Sequence, residues 1–187
     1  MNNLNYINLY DGKETNLNKF FHSLELEKFI IVFSVFDEAS NHWVKFTERK
    51  KLGLNETPAF RASYLAIVDK SVNFVYEKTA DISIAYDYAT DVVKVHVSSA
   101  GFGKEPYKSE IIVNGIDYSY NLRGLNIVII DRESGVVKQV LNSDLFADEN
   151  LRIDTVYKIF ENRLNHVVAG MRLAEKYCVH SNSVLYM

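Results

Sequence analysis

The segment Lys28–Phe36 reads KFIIVFSVF, and it constrains the fold of this chain more than any other stretch. It is too short to cross a bilayer, which takes about 20 apolar residues. As a strand it places apolar side chains on both faces, so both faces must be covered. Such a strand belongs in the middle of a sheet. Tyr64–Val68 and Leu125–Ile130 have the same character. The three are expected to lie within one layered core.

The remaining elements are shorter. Tyr6–Tyr10 alternates polar and apolar residues and ends in the turn signal Asp11-Gly12. Asn16–Leu24 reads as a helix capped by Asn16, with Leu17, Phe20, Phe21 and Leu24 at helical spacing. Asn41–Leu52 reads as a second helix with Trp43, Val44, Phe46 and Leu52 as its apolar members, stopped by Gly53. Phe74–Tyr76, Ile82–Tyr86 and Val92–Val97 are strand candidates, and Ser98–Pro106 reads as a loop. Asn114-Gly115 joins Ile111–Val113 to Ile116–Tyr120 in a two-residue type I′ hairpin. Asp131–Gly135 turns Leu125–Ile130 back into Val136–Leu141. Asn150–Tyr177 carries apolar residues at helical spacing, with Gly170 as a weak point. Strands and helices do not alternate, so the fold class is α+β with a largely antiparallel sheet system.

At 187 residues the chain is one domain, two at most, since domains run to roughly 100–200 residues. Hydrophobic residues at 48% and charged residues at 24% exclude a disordered chain. The net charge is -3, and Arg49-Lys50-Lys51 is the one basic cluster, so no nucleic-acid partner is expected. No segment is long and apolar enough for membrane insertion through a helix. Met1-Asn2-Asn3-Leu4-Asn5 lacks the basic and apolar regions of a signal peptide, so none is expected. The single cysteine, Cys178, excludes an internal disulfide framework. Synthesis in a reducing compartment is expected.

Signatures of catalysis are missing: there is no G-x-S-x-G, H-E-x-x-H, Walker A or G-x-G-x-x-G. Gly101-Phe102-Gly103 lacks a third glycine and a helix start. His22, His42, His96, His166 and His180 show no ligand spacing, so neither a metal nor another cofactor is expected. Cys178 reads as a small buried hydrophobe rather than a nucleophile.

Two patterns suggest a site. The first strong strand runs into Asp37-Glu38-Ala39-Ser40, and Phe60-Arg61-Ala62-Ser63 opens the next. Asp37 and Arg61 read either as a structural ion pair at one sheet edge or as a fixed acceptor and a planar donor fork gripping neighbouring hydroxyls. In the second reading Trp43, Phe60, Tyr64 and Tyr10 supply a flat apolar wall for a sugar ring, with Glu38 and Ser40 nearby.

A third pattern is Arg123-Gly124-Leu125-Asn126 through Asp131, then Ser134-Gly135-Val136-Val137 and a degenerate Ser143-Asp144-Leu145-Phe146. Together with Asp37-Glu38-Ala39-Ser40, Leu52-Gly53-Leu54 and Phe60–Val68, it resembles the interleukin-like EMT inducer (ILEI) domain family. That family includes cytokine-like proteins and the stem domain of protein O-mannose N-acetylglucosaminyltransferase. The family's second half comes first here, so either the domain is circularly permuted or each chain carries the second half of one unit and the first half of the next, and Tyr6–Gly12 resembles the family's F-D-x-Y segment better than the later one. Ala62 replaces the family's Asp, Leu54 its Ser, and the disulfide cysteines are missing.

The resemblance implies two twisted antiparallel sheets packed as a sandwich with flanking helices. It implies a single domain over 1–149, in halves 1–90 and 91–149, followed by a helical extension over 150–187. It also implies carbohydrate binding, of β-linked N-acetylglucosamine in particular, through the pair matching Asp37 and Arg61. The expected function is therefore a non-catalytic, lectin-like recognition module, with Asp37, Arg61, Glu38, Ser40 and Trp43 as carbohydrate-binding residues and a glycan, N-acetylglucosamine-containing, as partner. The alternative is a structural subunit of a phage particle or surface assembly, with other protein chains as partners in a homo-oligomer. In that reading Asp37–Arg61 is an ordinary ion pair, and a striped C-terminal helix mediates subunit contact.

Overall fold

The computed structural model describes residues 16–147 and the strand Arg152–Asp154. Tyr6–Tyr10, Cys178 and the expected helix beyond Asp154 lie outside the described residues.

Among the described residues the chain is mostly β. Helix α1 (Leu17–Ser23) begins at Asn16, whose side chain accepts from the Lys19 N–H at 2.9 Å. The strands are β1 (Phe29–Asp37), β2 (Ser63–Asp69), β3 (Phe74–Ala80), β4 (Ile84–Ala89), β5 (Lys94–Gly101), β6 (Glu110–Val113), β7 (Ile116–Asp117), β8 (Gly124–Asp131), β9 (Val137–Ser143) and β10 (Arg152–Asp154). The three strongly apolar strands lie side by side. β1 pairs antiparallel with β2 over Ile30–Ser34 and with β8 over Phe29–Phe36. The sheet continues through β3 beyond β2, and through β9 and β10 beyond β8.

Where β2 leaves β1, β5 takes its place. Phe36 and Asp37 pair in parallel with Ala100 and Gly101, which makes the sheet mixed. β5 also carries β4 and β6 on its flanks, and β7 pairs with β6. Asn114 (φ 50°) and Gly115 (φ 82°) both have the left-handed backbone that a type I′ turn demands. β5 runs on through Gly101, so the loop expected from Ser98 begins at Phe102.

Alternation along the central strands separates two cores. Ile31, Phe33 and Val35 face one cluster, which is closed by Leu17, Phe20 and Phe21 of α1 and by Trp43, Phe46, Leu52 and Leu54. Ile30 and Val32 face another, completed by Ile84, Val95, Val97, Ile111 and Val113 of β4–β6. Covering both faces is what the unbroken apolar run of β1 requires.

The expected helix over Asn41–Leu52 is not continuous. A 3-10 turn at Trp43–Lys45 is followed by α2 (Arg49–Leu52). At about 100° per residue, a straight helix would put Leu52 opposite Trp43. The break turns Trp43, Phe46 and Leu52 onto the same core, all fully buried. Asn18 fills the gap, its side-chain oxygen accepting from the Glu48 N–H at 3.1 Å. Gly53 (φ 85°) closes α2 as expected, donating to the Arg49 and Lys50 carbonyls. At the other end of the chain, Arg152–Asp154, expected to be helical, is a strand paired with Val140–Asn142 of β9. The residues past 149 therefore begin by extending the main sheet.

Candidate functional site

The site lies where β1 and β5 end and β2 and β8 begin. Two glycines make this junction possible. A Cβ on Gly101 would stand 2.1 Å from the Arg61 carbonyl oxygen, so only glycine lets the Arg61 backbone lie against β5. Gly101 also pairs with Asp37. Asp37 and the Arg61 backbone are thus both brought against one glycine. Gly124 does the same for the β8–β9 side: its φ is 96°, and a Cβ would meet the Ser143 carbonyl oxygen at 2.2 Å.

Asp37 (φ 67°) and Arg61 (φ 59°) both have left-handed backbones. Aspartate tolerates this conformation. For arginine it costs roughly 1–2 kcal/mol. The buried Glu38 holds it: its carboxylate accepts from the Arg61 N–H at 2.5 Å and from the Ser40 N–H at 2.6 Å. Glu38 and Ser40 were expected beside a ligand. Instead Glu38 is a buried brace joining the exit of β1 to the approach to β2, and Ser40 is half-buried with its N–H on that brace.

Asp37 and Arg61 do not form an ion pair with each other, although each has the other in its neighbourhood. The Arg61 guanidinium lies over two rings, 4.2 Å from the centroid of Phe102 and 4.8 Å from that of Phe60. Tyr107 lies within reach of both charges. Its hydroxyl is held above the usual tyrosine range by partial desolvation first and then by the Asp37 carboxylate, while Arg61 works the other way. Tyr107 packs on Phe36 at 4.7 Å and edge-on to Phe102 at 6.2 Å. Phe60, Phe102 and Tyr107 are all exposed, so this is an open platform. On the β8 side Arg123 makes a bidentate contact with Asp144, closest at 2.6 Å, and covers the Phe146 ring.

The aromatic wall expected from sequence is only partly here. Trp43 is fully buried, stacked edge-on against Tyr64 at 4.5 Å, and donates its indole N–H to the Glu56 carbonyl. Tyr64 is buried too and donates its hydroxyl to Glu77. Burial, with Glu77 beside it, pushes this hydroxyl well up. Both residues belong to the core because they face the α1 side of the sheet. Tyr10 lies outside the described residues. Phe60 is exposed as expected. Phe102 and Tyr107 were missed, and the signal for Phe102 was its place between two glycines of a loop, where an apolar ring has no core to enter.

A second polar cluster lies at the opposite end of β2. Asp69 is fully buried. Its carboxylate receives Arg132 Nε at 2.8 Å, the Tyr88 hydroxyl at 2.8 Å and the Ser71 hydroxyl at 2.6 Å. Desolvation and the bond to Asp69 push the Tyr88 hydroxyl up to about 12. Among the described residues no group of three or more His, Cys, Asp or Glu side chains is placed to hold a metal ion. Among them, too, no helix is long and apolar enough to cross a membrane. Compared with family models, with curated proteins and with solved structures, the chain finds no match.

Proposed function

We propose that this chain is a non-catalytic carbohydrate-recognition module, and that its ligand sits on the platform formed by Asp37, Arg61, Phe60, Phe102 and Tyr107. The stack of Phe60, Arg61 and Phe102 beside the Asp37 carboxylate carries the reading. Sugar rings offer an apolar face and a rim of hydroxyls. The exposed rings suit the first, and a carboxylate with a planar donor fork suits the second. The brace from Glu38 supports it further, because a strained backbone held by a buried carboxylate fixes Arg61 before any ligand arrives.

The likeness to the ILEI domain belongs to this proposal, with its sandwich and its permuted halves. The direct pairing of β8 with β1 and the second core between the central strands and β4–β6 support it. The Arg123-Gly124 pattern fits as well, since Gly124 is required by the approach of β9.

The test is a glycan array followed by NMR titration of the full chain. Single-sugar contacts are weak, so a dissociation constant near millimolar is expected, about -4 kcal/mol. Shifts confined to Asp37, Arg61, Phe102 and Tyr107 would support the reading. Binding that leaves these residues unmoved, or none at all, would reject it.

A further inference from the structure

Four arginines have described side chains, and three have an acceptor. Arg49 donates to the Leu54 carbonyl at 3.2 Å, Arg123 grips Asp144, and Arg132 grips the buried Asp69. Arg61 alone has no hydrogen bond or ion pair from its side chain to a described residue. The Phe60 and Phe102 rings lie against its guanidinium, and the residue is exposed, so its N–H groups stay open to solvent. The nearest acids do not neutralise it. The Glu38 carboxylate is committed to two backbone N–H groups, and Asp37 stays outside ion-pair distance beside Tyr107.

We infer that the ligand of this platform is an acidic sugar, a hexuronate whose exocyclic carboxylate docks on Arg61 while its hydroxyls donate to Asp37. The inference rests on the carbohydrate reading above and sharpens it. The chemistry is complementary on both sides. A guanidinium edge recognises a planar carboxylate bidentately, and charge-assisted bonds of this kind are roughly twice as strong as neutral ones. Asp37 accepts hydroxyl protons and would repel a second carboxylate, which fixes the direction in which a hexuronate lies. A neutral sugar would leave Arg61 without a counter-charge, and a purely anionic chain without hydroxyls would leave Asp37 without donors.

The experiment titrates the full chain with an oligogalacturonate trisaccharide, with the same trisaccharide after reduction of its carboxyl groups, and with polyglutamate. The acidic trisaccharide is expected to bind at least tenfold more tightly than the reduced one, and more weakly as salt rises. Arg61→Asn tolerates the left-handed backbone and keeps the N–H that Glu38 holds, so it should fold and lose that difference. Arg61→Lys should keep part of it, as charge without the fork. Equal binding of the two trisaccharides would overturn the acidic preference and leave the carbohydrate reading standing. Binding of neither would overturn the hexuronate, while the carbohydrate reading would still stand or fall on the glycan array. Polyglutamate binding as tightly as the oligogalacturonate, or a tenfold difference surviving in Arg61→Asn, would overturn the assignment of a hexuronate to Arg61.

Discussion

At the far end of β2, Asp69 is fully buried and its carboxylate is met by an arginine, a tyrosine hydroxyl and a serine hydroxyl. At the near end, one strand over, Asp37 and Arg61 stand apart on an open surface with a tyrosine and two phenylalanine rings around them. Both clusters contain an aspartate, an arginine and a tyrosine. Their environments separate them. A carboxylate without access to water must have both oxygens answered, and those of Asp69 are. A carboxylate and a guanidinium at a wet surface gain little by pairing, and there the backbone of Arg61, not its side chain, is what the fold has fixed. The buried cluster closes the sheet, and the open one leaves its charges available to another molecule.

The sharpest way to break this contrast is Arg132→Met. It strands a buried carboxylate, so urea unfolding should show a loss of about 3–5 kcal/mol. Replacing Asp69 as well, with leucine, should recover much of that loss, because the uncompensated charge goes with it. A change under about 1 kcal/mol in Arg132→Met would mean that Asp69 is not held as described. Glu38→Ala comes next. It orphans the Ser40 and Arg61 N–H groups and removes a charged acceptor, at a cost of about 2–3 kcal/mol. Ligand binding should fall with it, since Arg61 loses its brace.

Much of this frame was legible in the sequence and some of it was not, for physical reasons. A run such as FIIVF leaves no choice but burial on both faces, so the centrality of β1 could be read directly. Asn114-Gly115 and Gly53 announce their backbone angles. The Asp37 and Arg61 neighbourhood was also found, because charged residues at the ends of buried strands must come out somewhere. The roles of Glu38 and Trp43 were not legible. Whether an acid faces solvent or folds back onto backbone amides depends on a turn geometry that residue type does not encode. An indole at helical spacing looks the same whether the helix persists or breaks, and only the demand to bury Leu52 beside it decides. Phe102 and Tyr107 come from a loop with no periodicity, so nothing placed them next to Arg61.

Tyr88→Phe probes the closed end more gently. Losing a hydrogen bond to a carboxylate should cost about 1.5 kcal/mol near neutral pH. The pH dependence gives a second reading. The Tyr88 hydroxyl is raised to about 12 in the folded state, against an ordinary value near 10. A raised folded value means the folded chain keeps the proton longer, so stability falls as pH climbs from about 10 to 12. Tyr88→Phe should flatten that limb in urea titrations at alkaline pH. An unchanged alkaline slope would assign it to other groups, of which buried Tyr64 is the first to test by the same substitution.

The smallest stability effect is expected at the residue with the largest functional one. Arg61→Asn removes two ring contacts by an exposed cation, about 0.5–1 kcal/mol each. It also places a residue that tolerates a left-handed backbone at φ 59°, which returns about 1 kcal/mol. The N–H that Glu38 accepts is kept. These terms nearly cancel, so the melting temperature should move by no more than a few degrees in either direction. Glycan binding, on the reading proposed here, should vanish. If Arg61 serves only the fold, the substitution should behave like Arg132→Met and cost several kcal/mol. If it serves a ligand, a strained arginine with no acceptor among the described residues is what remains when the fold does not need the side chain and the surface does.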